Sequence, residues 1–221
     1  MRRKIDARIE CAMPSAAAAT LALMIVSQPV LSHVGLHDDH TQHQSASASR
    51  AAVTRITETY TLPAVPLVRS DGVAVRFPAE IDDGKPVILN FVYTTCPSVC
   101  PLMSQIFAEV QAKLGKEASR VRMVSISIDP EEDTPARLAE HARKFGAREQ
   151  WQHYTGSAEA SVSIQRAFKA YRGDKMGHAP ATFLRAAPGQ PWVRLEGFAG
   201  ADVVIREYAD LVGRGQSHSN R

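Results

Sequence analysis

The chain has 221 residues, 44% of them apolar, which is enough for an ordinary core and suits one domain plus a leader. Of its 26 basic and 23 acidic side chains, four and two lie in the first 32 residues, leaving 22 and 21 beyond them. A near-neutral body gives no electrostatic case for binding nucleic acid.

Residues 1–32 read as a secretory signal peptide. Arg2, Arg3 and Lys4 precede an apolar run from Ala16 to Val26, and Val30 and Ser32 are small enough to precede a cleavage site. The run is shorter than the roughly 20 apolar residues that span a bilayer, so removal is favoured over retention as an inner-membrane anchor. Cys11 lies ahead of the run and leaves with the leader. Export places the mature protein in the periplasm, an oxidising compartment in which a disulfide can persist.

Residues 33–55 are polar and His/Ser/Ala-rich with no apolar period, as expected of a disordered linker. His33, His37, His40 and His43, with Asp38 and Asp39 among them, fit either a weak Cu(II)-collecting tract or a solvated spacer.

The folded domain is expected over 56–213, with a flexible tail at 214–221. Val73–Phe77 alternates after the turn signal Asp71-Gly72 and reads as one strand of a hairpin. Val87–Tyr93 is a nearly continuous β-forming apolar run, the pattern of a strand buried on both faces. Leu102, Ile106, Val110 and Leu114 recur every four residues on one helical face, with Gly115 as terminator.

Val121–Ile128 is a second strand, parallel to the first across that helix. Thr134-Pro135 opens a helix that closes at Phe145-Gly146. A short strand at Trp151–Tyr154 precedes a helix from Ser157 to about Tyr171. Ala181–Arg185 and Trp192–Phe198 pair across Pro188-Gly189, and a last helix covers about Ala201 to Val212. This order predicts an α/β fold, a mixed central sheet flanked by helices.

The chemistry centres on Tyr93-Thr-Thr-Cys96-Pro97-Ser-Val-Cys100-Pro101 at the carboxyl end of a central strand, where open α/β sheets place their sites. Cys96 and Cys100 close too short a loop for a staple to add much stability. Pro101 fits the first turn of a helix, which puts Cys100 at the positive helix start and makes it the better candidate for an acidic thiol. Two thiolates suit Cu(I), and an added imidazole accommodates Cu(II) or zinc. A structural zinc site would need more ligands than two cysteines supply.

FVYTTCPSVCP at 91–101, SIDPEEDTPARLAEHARKFG at 127–146, YTGSAEA at 154–160 and GHAPATFL at 177–184 together resemble the SCO/SenC family, over roughly Leu62 to Leu211. The resemblance implies a thioredoxin-like fold that binds copper through two cysteines and a distant histidine, and a role in assembling the binuclear copper centre of cytochrome c oxidase. By motif, Cys96 and Cys100 match the ligand cysteines and His178 the histidine.

The implied partners are the apo copper-site subunit of the oxidase or another copper protein, and a thiol reductant. Some family members are thiol-disulfide reductases, so the same cysteines support an enzymatic alternative that would not need His178. A peroxiredoxin-like reading is weaker, because the Pro-x-x-x-Thr-x-x-Cys pattern is absent. Gly177 stands where the family often has Asp, and Pro180 resembles the cis-proline of thioredoxin-like reductases. Asp129 and Asp133 read as turn formers, His141 and His153 as structural or solvated, and Met103 and Met123 as core.

Overall fold

A computed structural model describes the backbone of residues 53–219 and side chains as far as 213. The expected signal peptide, Cys11 and the histidine cluster lie outside the described residues. In chain order the elements are β1 (Thr54–Glu58), β2 (Val65–Arg69), β3 (Ala74–Phe77), β4 (Val87–Val92), α1 (Val99–Leu114), β5 (Arg122–Ser127), α2 (Pro135–Lys144), β6 (Trp151–Gly156), α3 (Ala158–Ala167), β7 (Ala181–Arg185), β8 (Trp192–Glu196) and α4 (Ala201–Ser219). Short 3-10 turns include Lys175–Gly177.

The strands form a single sheet in the order β1-β8-β7-β4-β5-β6-β2-β3. β4, β5 and β6 run parallel, and β7 joins β4 antiparallel. The sheet is therefore mixed, as the element order anticipates, and thioredoxin-like, as the resemblance implies. β4 is buried along its whole length. Val87, Leu89 and Phe91 turn to an aromatic face with Tyr60, Phe168, Phe183 and Trp192. Ile88 turns to the opposite face, under Met103, Phe107 and Val110 of α1 and Val204 of α4. A strand covered on both sides needs apolar residues at both parities, hence the unbroken run in the sequence.

α3 ends at Ala167, short of the expected Tyr171, and three further details differ from expectation. β1 starts at Thr54, just inside the segment read as linker, because pairing with β8 from Thr54↔Glu196 onward supplies hydrogen bonds that its sequence alone does not suggest. α4 runs on through Gly213 to Ser219, into the stretch read as a tail; a glycine inside a helix costs only about 1 kcal/mol and need not end it. On α1, Ile106, Val110 and Leu114 are buried, but Leu102 is 47% exposed. The helix begins at Val99, so its first inward positions are Cys100 and Met103, and Leu102 is turned to solvent.

Candidate metal centre

β4 and β5 end side by side, tied by the Ile128 N–H to the Val92 carbonyl at 2.9 Å. Beyond β4 the chain bends into the cysteine loop. The Cys96 N–H donates to the Tyr93 carbonyl at 3.2 Å. The Cys100 N–H donates to Cys96 Sγ at 3.3 Å, and the Tyr93 N–H donates to Cys100 Sγ at 3.4 Å. Each sulfur thus accepts a backbone N–H. Both cysteines are free thiols and buried.

Asp133 anchors the loop from below. Its carboxylate, fully buried, accepts from the Thr94 N–H at 3.0 Å, from Thr94 Oγ1 at 2.6 Å and from Ser127 Oγ at 2.6 Å. Ser104, one turn below Cys100, hydrogen-bonds His141 Nε2 at 2.9 Å.

The two thiols differ in acidity. Burial pushes Cys96 up, but the backbone N–H groups of Cys100 and Ser98 and the Tyr93 hydroxyl outweigh it, and its pKa falls below the ordinary thiol value. Cys100 is raised well above the ordinary range, chiefly by burial and then by the Cys96 sulfur. The expectation that Cys100 would be the acidic cysteine is therefore corrected. A place near a helix start does not compensate a sulfur left at 1% exposure.

β7 is antiparallel to β4, so its beginning lies at the same end of the sheet as the cysteine loop. His178, which precedes β7, follows the 3-10 turn Lys175–Gly177, capped by the Asp174 carboxylate accepting from the Met176 N–H at 2.7 Å. Lys175 Nζ pairs with Asp129 Oδ2 at 2.6 Å, fastening this loop to the end of β5. This anchor stands where Gly177 offers no neighbouring carboxylate. The half-buried His178 ring meets the Tyr93 ring edge-on, with centroids 6.5 Å apart.

Burial lowers the His178 pKa, partly opposed by the Phe91 carbonyl. β4 pairs with β7 only as far as Leu89↔Phe183, which leaves that carbonyl to His178. A ring nitrogen engaged by a carbonyl is the usual way to orient an imidazole so that the other nitrogen faces a metal.

The structure brings Cys96 and Cys100 together and places His178 against Tyr93, whose N–H bonds the Cys100 sulfur. It does not close the set. Among the described residues, no three His, Cys, Asp or Glu side chains are gathered closely enough to hold an ion. The donor chemistry, two thiols and an imidazole, nonetheless suits copper. The Ala179–Pro180 bond is trans, the one cis peptide among the described residues being Phe77-Pro78, so the likeness of Pro180 to a cis-proline is not realised.

Met103 and Met123 are core residues. His141 and His153 are both buried and neither is solvated. Sequence reasoning passed over Tyr93, Lys175 and Met176, and read Asp129 and Asp133 as turn formers only. The spacing of Asp129 and Asp133 was visible, but their partners, 46 and 39 residues away, were not.

The sequence profile of the SCO1/SenC family matches residues 63–213. The SCO1 protein homolog of Bacillus subtilis is 31% identical over 90 residues, covering 39% of this chain and 47% of its own length. The aligned stretch thus spans less than half of that relative. The structure of Bradyrhizobium japonicum ScoI with copper bound superposes with a TM-score of 0.56 at 26% identity, covering 68% of this chain and 98% of the other. The structure of BsSco, described as having a disulfide switch and as a member of the Sco family of cytochrome c oxidase assembly proteins, gives a TM-score of 0.60 at 25% identity, covering 71% and 95%.

Proposed function

Because this chain belongs to the SCO1/SenC family, we propose that it receives and hands on copper in the cell envelope, holding the ion with Cys96, Cys100 and His178. The observation that carries this reading is the pair of free, adjacent thiols that follows β4, with a half-buried histidine on the far side of Tyr93. Two thiolates form the base of the site and take Cu(I) without help. The imidazole swings in from its loop as third ligand and widens the site to Cu(II).

The client, in this reading, is a copper-site apoprotein, in the first place the copper-bearing subunit of cytochrome c oxidase, as the family description of BsSco suggests. A thiol reductant keeps the cysteines ready. The leader read at residues 1–32 supports export to the periplasm. Among the described residues no helix is long and apolar enough to cross a membrane.

Oxidation of the two thiols to a disulfide removes two protons and two electrons and consumes both soft ligands. Copper titration of the mature protein, reduced and then oxidised with oxidised glutathione, tests the reading. The reduced protein should take up one copper with thiolate-to-copper absorption. The oxidised protein and a folded Cys96→Ser/Cys100→Ser variant should take up none tightly. Stoichiometric tight copper in either would refute it. An unchanged rate of disulfide exchange in His178→Ala, with Cu(II) binding weakened, separates the copper role from a purely reductive one.

A further inference from the structure

Met176 is the most exposed large apolar side chain among the described residues, at 69%. Its sulfur nevertheless has a specific partner, accepting a hydrogen bond from the Tyr93 hydroxyl at 3.8 Å. Tyr93 is the residue whose own N–H bonds the Cys100 sulfur and whose ring meets His178. The same hydroxyl lies close enough to the Cys96 sulfur to influence its proton. One tyrosine thus links three sulfurs and the imidazole.

The three sulfurs also form a gradient of burial: the residue carrying each is 69% exposed at Met176, 7% at Cys96 and 1% at Cys100. A copper ion held only by the two cysteines would have to be reached through a nearly closed surface.

We propose that Met176 is a relay ligand for Cu(I), its thioether taking the ion at the protein surface and passing it to or from the Cys96–Cys100 pair. The inference rests on the copper-carrying reading given above. A thioether is a neutral, soft ligand that suits Cu(I) and binds the harder Cu(II) only weakly. It carries no proton at any working pH, so no proton need leave when the ion arrives. The hydrogen bond from Tyr93 uses one of its two lone pairs and leaves the other for a ligand bond, on a residue that is 69% exposed. Exchange then proceeds by substitution of one sulfur for the next, with no change in oxidation state.

The placement of Met176 on the turn that leads into His178 joins the two events. The turn is held by Lys175 to Asp129 and by Asp174 to the Met176 N–H, so movement of His178 toward the thiols carries Met176 with it. Three of the four exposed large apolar residues among those described, Leu102, Met176 and Phe198, lie at the cysteine end of the sheet, whereas Val73 lies at the opposite end. The relay sulfur therefore stands in open solvent at the end of the sheet where apolar side chains are exposed.

The test is Met176→Leu, which keeps the apolar bulk and removes the sulfur. Cu(I) affinity and the rate of Cu(I) transfer to bicinchoninate are measured on the reduced mature protein, with Cu(II) affinity and thermal unfolding in parallel. The expected result is Cu(I) transfer slowed and Cu(I) affinity weakened, by about tenfold at most, the low end of what losing a supporting group costs a metal site. Cu(II) affinity and unfolding temperature should stay as in the wild type, and X-ray absorption of the Cu(I) form should lose part of its sulfur scattering.

Cu(I) transfer and affinity within about twofold of wild type, or equal weakening of Cu(I) and Cu(II), would overturn the relay while leaving the two-cysteine site standing. Tight Cu(I) in the Cys96→Ser/Cys100→Ser variant would overturn the underlying reading, and the relay with it.

Discussion

The cysteine loop and the histidine loop meet at one end of the sheet but are held in opposite ways. The cysteine loop continues β4, a strand buried on both faces, and is fastened by the buried Asp133 carboxylate and by an N–H on each sulfur. The histidine loop rises from an exposed turn and is fastened near the surface, by the ion pair of Lys175, 39% exposed, with Asp129, by the Asp174 cap on the Met176 N–H and by the Tyr93 hydroxyl on the Met176 sulfur. The thiols are thus set in advance, and the imidazole is left to adjust. A carrier needs both qualities. A fully closed three-ligand site would hold its ion too well to release it, and a fully loose one would spend affinity on ordering.

The largest effect on copper affinity that would break the contrast is expected at His178. If the histidine loop supplies a ligand, His178→Ala should weaken Cu(II) by about 10- to 100-fold, the usual consequence of losing an ordered group at a metal site. Cu(I) on the two thiolates should suffer less. Equal losses for both ions, measured by competition titration of the reduced protein, would mean that the histidine is structural.

Asp133 tests the other side. Asp133→Ala leaves the Thr94 N–H and two hydroxyls without their acceptor inside the protein. Each buried group left unsatisfied costs about 1–3 kcal/mol, so denaturant unfolding should show about 2–4 kcal/mol of lost stability, moderated by water entering the gap. Copper affinity should fall with it, because the cysteine loop loses its floor. A variant as stable as wild type would show that the backbone alone holds the loop.

How much of this could be read from the sequence follows the range of the interactions involved. Pro97 and Pro101 frame the cysteines, Thr134 caps α2 as expected, and β4 is named by its own composition, all within a few residues. Asp129 and Asp133 could be seen as a pair, but not as supports, because Lys175 and Thr94 reach them across the fold. Leu102 fitted a periodic stripe yet faces solvent, since the helix begins earlier than the stripe suggests. Cys100 was expected to be the acidic thiol because charge at a helix start can be inferred locally, whereas burial can only be known from the packed structure.

Acid should strike the buried histidine pair behind the cysteine loop. His153 on β6 is completely buried, packs 5.8 Å from the His141 ring, and has no hydrogen bond at either nitrogen. Burial, then His141, pushes its pKa down to about 3. The unfolded chain, titrating near the ordinary value of about 6.5, binds this proton where the folded chain does not. Stability from this group is therefore complete above about pH 6.5 and is lost as pH falls toward 3, amounting to about 2 kcal/mol by pH 5. His141, also lowered by burial, acts in the same direction and links this pair through Ser104 to the helix that carries Cys100. His153→Phe should flatten the slope of unfolding free energy between pH 6.5 and 5. An unchanged slope would assign acid sensitivity elsewhere.

The smallest effect belongs to the ion pair that fastens the histidine loop. Lys175→Met removes the charge that meets Asp129 but keeps the length of the side chain. The lysine is 39% exposed but its Asp129 partner is buried, so the unfolding temperature should fall slightly. What changes most is the freedom of the turn. Without its anchor the loop should open more often, and amide hydrogen exchange at Met176, Gly177 and His178 should quicken while that of Thr94 and Cys100 stays as before. The imidazole then spends less time within reach of the thiols, and Cu(II) affinity should drop by about two- to threefold, the effect of an ion pair with one exposed partner. Faster exchange in both loops would mean that they move as one unit, and the contrast between a fixed thiol pair and an adjustable histidine would have to be given up.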